Sequence, residues 1–72
     1  MMTYGEILEA SFNIAWQYLY QTGELKDPDV AARFLTDKIE DMMRAGERRK
    51  ILLGNRAIEG YRQRFETLKL VS

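Results

Sequence analysis

The sequence predicts an all-α fold, a small three-helix bundle formed by one domain spanning 1–72. Three observations carry that expectation. No run alternates apolar and polar residues for long enough to make a strand, and Ile51-Leu52-Leu53 is too short to build a sheet. Apolar residues recur every three or four positions in separate segments, as a helix face requires. Those segments are divided by helix punctuation at Gly23, Asp27-Pro28 and Gly46.

The first helix is expected over about 4–22. Thr3 and Glu6 have capping-box spacing, in which the hydroxyl accepts an early backbone N–H and the carboxylate reaches back. Gly23 supplies the left-handed residue that ends it. The second helix, 28–45, opens on Asp27 as N-cap with Pro28 at N1, where a missing N–H costs nothing. Asp29 adds favourable charge to its first turn, and Gly46 stops it.

The third segment allows two readings. Ile51, Gly54, Ile58, Tyr61, Phe65 and Leu68 form a heptad-like seam that would make one helix from about 48 to 69. Leu52 and Leu53 fall off that seam, and Gly54-Asn55 resembles a stop followed by a cap. The preferred reading is a short helical turn at 47–53 followed by a helix over 55–69. Antiparallel neighbours would then be joined by short connections.

Composition excludes much of biochemistry. Among 72 residues there is no cysteine and no histidine, so zinc fingers, disulfide frameworks and Cys-His or Ser-His-Asp relays are ruled out. Asp37, Glu40 and Asp41 share a helix face, but one helix offers a cation too few oxygen ligands. Gly54 and Gly60 match no phosphate-binding loop. No enzymatic constellation, metal or cofactor is therefore expected. A segment opening with Glu6 as its first charge is no secretory signal, and the uncharged stretch from Ala10 to Gly23 is too short to span a bilayer. The expectation is a cytoplasmic protein with no membrane partner.

What remains is binding. In the first helix Ile7, Leu8, Phe12, Ile14, Ala15, Trp16, Tyr18, Leu19, Tyr20 and Tyr4 cover an arc of roughly 240°, where a surface helix needs little more than about 100°. Two neighbouring helices can cover part of that excess. The candidate protein interface is its far edge, Phe12, Trp16 and Tyr20. The second helix has an ordinary stripe, Ala31, Leu35, Ile39, Met42 and Met43, flanked by Val30 and Phe34.

Charge is separated along the chain although it sums to zero. Residues 1–43 carry eight acidic and three basic side chains, and residues 44–64 carry seven basic and two acidic. The candidate site for a phosphate or an acidic partner is Arg48, Arg49, Lys50 and Arg56. A pI near 6.2 and the absence of interleaved aromatics argue against a nucleic-acid module. The first expectation is thus a small protein–protein interaction or regulatory module whose partner is another protein or a second copy of itself. The alternative is nucleic-acid binding through 44–64.

The stretch Gly46-Glu47-Arg48-Arg49-Lys50-Ile51-Leu52-Leu53-Gly54-Asn55-Arg56-Ala57-Ile58 resembles a box near the C-terminus of short uncharacterised proteobacterial all-α proteins. Those proteins often carry Ser where Gly54 stands, so the resemblance implies a helix N-cap there, a bacterial origin and no particular activity.

Overall fold

The structure, a computed structural model, describes the backbone of residues 2–71 and the side chains of residues 2–65. It contains α1 (Tyr4–Gln21), α2 (Pro28–Arg44) and α3 (Lys50–Val71), packed pairwise against one another as a small three-helix bundle. Among the described residues there is no strand.

Local chemistry sets the ends of α1 and α2. The Thr3 N–H donates to Glu6 Oε1 at 2.8 Å and the Glu6 N–H to Thr3 Oγ1 at 3.2 Å, completing the capping box. These bonds to Thr3 hold the Glu6 carboxyl below its usual range. Asp27 Oδ1 accepts from the Asp29 and Val30 N–H groups at the start of α2.

Both helices end in the same way. Gly23 (φ +74°) follows α1, with Glu24 N–H donating to Leu19 O and Gly23 N–H to Tyr20 O. Gly46 (φ +110°) follows α2, with Glu47 N–H donating to Met42 O and Gly46 N–H to Met43 O. These are paired Schellman closures, and each needs a residue that tolerates positive φ.

The third helix differs from the preferred expectation. It is continuous from Lys50, its first intrahelical bond running from Leu53 N–H to Arg49 O. Gly54 lies inside it, neither ending a turn nor preceding a cap. A Cβ at Gly54 would sit 2.7 Å from Ile14 Cγ2 and 3.3 Å from the Ser11 carbonyl oxygen. The glycine is a notch that lets α3 approach α1, and that packing outweighs the roughly 1 kcal/mol of helix propensity it forgoes. The seam shifts with it. Leu53 and Ala57 are fully buried, whereas Ile51 is 62% exposed. Leu68 lies outside the residues whose side chains are described.

The core consists of straight rows. Ile7, Ser11, Ala15 and Leu19 are the buried residues of α1, and Ala31, Leu35, Ile39 and Met43 those of α2, each spaced by four. Such i±4 rows are the ridges by which helices interdigitate. Ser11 is polar yet fully buried, and its hydroxyl donates to Ile7 O at 2.7 Å, so the group is satisfied within its own helix.

Topology follows from the contacts. The Arg48 guanidinium lies over the Tyr4 ring, Gly54 meets Ser11 and Ile14, and the Arg62 guanidinium lies over Tyr18, so α3 runs parallel to α1 and packs directly on it, with α2 antiparallel to both. The two tyrosines are fourteen residues apart on α1, and the two arginines are fourteen apart along the α3 segment. That spacing is two heptads, the repeat at which parallel helices keep the same faces in register.

Candidate interaction surface

The surface of α1 divides into two flanks. Ser11 and Ile14 stand against Gly54, so that flank belongs to α3. The opposite flank carries Leu8, Phe12 and Trp16, half-buried and packed on the core. Phe12 and Trp16 stack with ring centroids 5.4 Å apart and planes 18° from parallel. One turn further, Tyr20 is 72% exposed. Leu8, Phe12, Trp16 and Tyr20 thus form a second i±4 ridge beside the buried row, about 18 Å long at 1.5 Å per residue. The three residues singled out from the sequence are brought together in that ridge.

Across from it, α2 has a flank of its own. Phe34 and Lys38 lie against Gly60 of α3, and Phe34 meets Tyr61 and Phe65 edge-on. Ala32, Thr36 and Glu40 lie roughly 120° to 240° around α2 from those two residues at about 100° per residue, which turns them toward the Phe12–Trp16 side of α1. All three are half-buried. The α1–α2 seam therefore carries the aromatic ridge of α1 beside the half-buried Ala32, Thr36 and Glu40 of α2.

The basic segment is not one patch. Arg48 donates to the Met43 and Glu47 carbonyl oxygens while stacking on Tyr4. Arg49 pairs with Glu47 at 2.9 Å. Glu47 also accepts from the Arg48 and Arg49 backbone N–H groups, and these contacts, led by the Arg49 side chain, hold its carboxyl down at about 2. The place just before α3 where an anion would settle is thus occupied by Glu47 of the same chain. Lys50 and Arg56 are exposed, and among the described residues they have no partner.

One further site has no local sequence signal. A cleft of about 400 Å³ opens where the α1–α2 connection crosses α3, floored by Val30, Tyr61 and Phe65. Its edge is fixed by Glu24, which takes Arg62 Nε at 3.0 Å and Arg62 Nη2 at 2.8 Å and receives the Thr22 hydroxyl at 2.7 Å. Arg62 also donates to the Tyr18 hydroxyl, and Tyr61 donates to the Glu24 carbonyl oxygen. The partners stand nearly forty positions apart, so only the fold reveals them. Burial raises the Tyr61 hydroxyl above its usual range.

On the acidic face of α2, Asp41 receives Arg44 at 3.3 Å. Among the described residues no group of three His, Cys, Asp or Glu is placed to hold a metal ion, and no helix is long and apolar enough to cross a membrane. Compared with protein-family models, with curated proteins and with solved structures, the chain gives no match.

Proposed function

We propose that this chain is a small protein–protein interaction module that works by docking and catalyses no reaction, its contact surface being the α1 ridge of Phe12, Trp16 and Tyr20. The observation supporting the reading is the contrast at adjacent positions, Leu19 wholly buried and Tyr20 72% exposed beside a half-open Phe12–Trp16 stack. Large aromatic side chains with little conformational entropy to lose are what interface hot spots are made of. The basic segment supports the nucleic-acid alternative less well, because Arg48 and Arg49 are spent within the chain. In this reading the module acts in the bacterial cytoplasm, where it meets a protein partner or a second copy.

The test is crosslinking in the cells that make the protein, with a photoreactive side chain placed at Tyr20 and, as control, at the exposed Glu59 of α3. Adducts of defined mass from position 20 and none from 59 are expected. Absence of any adduct from 20, or equal adducts from both, would reject the ridge as a docking surface.

A further inference from the structure

We infer that the cleft beside Glu24 is a binding site for a small aromatic carboxylate, its rings resting on Val30, Tyr61 and Phe65 and its anionic group meeting the Lys26 ammonium. None of the α1 ridge residues lines this cleft, so the inference stands apart from the docking surface.

The first argument is shape. At about 400 Å³ the cleft falls in the range of small-molecule sites, roughly 300 to 1,000 Å³. Its floor is apolar, and Val30 leaves 47% of its surface open there beside the buried Tyr61. The Tyr61 and Phe65 ring centroids are 4.5 Å apart, and Phe34 meets both rings edge-on. That cluster holds the floor in place and offers ring surface on which a flat aromatic body can pack.

The rim is also fixed before a ligand arrives. Arg62 donates to the Glu24 carboxylate through Nε and Nη2, and the Tyr61 hydroxyl donates to the Glu24 carbonyl oxygen. Side chain and main chain of Glu24 are thus both tied to α3, and Thr22 bonds the same carboxylate from within the connection. A wall that is already ordered adds little entropic cost to binding.

The second argument is charge, which selects the ligand. Four ionised side chains border the cleft, Glu24, Lys26, Asp27 and Arg62. Glu24 and Arg62 satisfy each other, and Asp27 caps α2 by accepting from the Asp29 and Val30 N–H groups. The Lys26 side chain has no partner among the described residues. The uncommitted charge is one cation beside an apolar floor, and its complement is a single anionic group on an aromatic body. A phosphate monoester would bring a second negative charge to a rim that already holds two carboxylates, and without rings it would leave Val30 and Phe65 in water.

The experiment is an amide NMR titration of the whole chain with 2-naphthoate and with its neutral analogue 2-naphthamide, circular dichroism showing that each variant stays helical. Shifts are expected to saturate and to be confined to 22–30 and 61–65, with naphthoate bound roughly threefold more tightly than naphthamide. Lys26→Glu should weaken naphthoate roughly tenfold and leave naphthamide unchanged. Val30→Trp, which fills the cleft from an exposed position, should abolish binding of both.

Shifts that fail to saturate at about 10 mM probe would overturn the proposal, as would binding that survives Val30→Trp. Shifts centred on Phe12 and Trp16 would move the probe to the α1 ridge and empty the cleft of its role. Equal affinity for acid and amide, or equal losses of both in Lys26→Glu, would overturn the assignment of an anion.

Discussion

The two flanks of α1 are built from the same backbone and end differently. Toward α3, Ser11 and Ile14 meet a glycine, the helices close, and the polar group in the seam is satisfied internally. Toward α2, Leu8, Phe12 and Trp16 keep their side chains half in water. The bulky row Leu35, Ile39 and Met43 of α2 is fully buried, so a row's position between two neighbouring helices, not its side-chain volume, decides whether it is core or surface.

The largest effect that would sharpen this contrast lies between neighbouring residues. Leu19→Ala removes a fully buried side chain and should cost about 2 to 5 kcal/mol, a large part of what so small a bundle possesses. Tyr20→Ala, one residue away, should leave the stability of the isolated chain within about 0.5 kcal/mol. Urea midpoints at low protein concentration give both values, and equal losses would erase the distinction between flank and core.

The next effect probes the closed flank. Gly54→Ala places a methyl 2.7 Å from Ile14 Cγ2 and against the backbone oxygen of Ser11. It should destabilise by about 1 kcal/mol, the overpacking exceeding the helix propensity gained. Gly60→Ala meets only the end of a flexible lysine, Lys38 Cε at 3.1 Å, with Phe34 Cζ at an ordinary 3.6 Å. There the lysine gives way, and a gain of about 0.5 kcal/mol is expected. Thermal melts that ranked the two glycines in the reverse order would break the account of how α1 and α3 meet.

These glycines also show what was legible beforehand. Gly23 and Gly46 are read correctly as helix ends because a stop is a local event: positive φ, two reversed hydrogen bonds and a polar neighbour all lie within a few residues. Gly54 carries the same letter with a non-local purpose, since its role depends on Ile14, forty positions earlier, and its helical surroundings contain no cue. The shift of the seam from Ile51 to Leu53 has the same origin. Rows of core residues in α1 and α2 were visible from periodicity, except that Ser11 sits where hydrophobicity would place an apolar residue. Its hydroxyl bonds backward along the helix, an arrangement that composition does not announce. Phe12, Trp16 and Tyr20 can be singled out as a candidate surface because an apolar arc wider than its neighbours can cover is itself a sequence property, and the structure places all three on one ridge. The Glu24–Arg62 pair cannot, for it joins segments far apart in sequence.

A smaller effect separates the two arginine–tyrosine stacks that tie α1 to the α3 segment. Arg62 at Tyr18 is reinforced by Glu24, whereas Arg48 at Tyr4 bonds only backbone carbonyls. With the pair's side chains 40% and 23% exposed, Arg62→Gln should cost about 0.5 to 1 kcal/mol at low salt and less as salt is added. Arg48→Gln should show the weaker salt dependence, because its partners carry no net charge. Denaturation at two ionic strengths measures the difference.

The last contrast is between the starts of the helices. Thr3 and Asp27 cap α1 and α2 from the residue immediately before each helix, but α3 is held by Glu47, three residues before its first residue, which grips the Arg48 and Arg49 N–H groups and the Arg49 side chain. Its carboxyl is depressed from 4.5 to about 2 in the folded chain, so the ionised form is the one that folding favours. The contribution is therefore fully present above pH 4.5 and is lost as the pH falls through 2, where the folded form also takes up the proton. Carboxyl-carbon NMR should place the Glu47 midpoint near 2, and Glu47→Gln should flatten the acid limb of stability between those values. Because Glu47 braces only the N–H groups just before α3, the loss should appear first as faster amide exchange at Arg48 and Arg49, ahead of global unfolding. A midpoint at the ordinary glutamate value would mean that α3 begins without this brace.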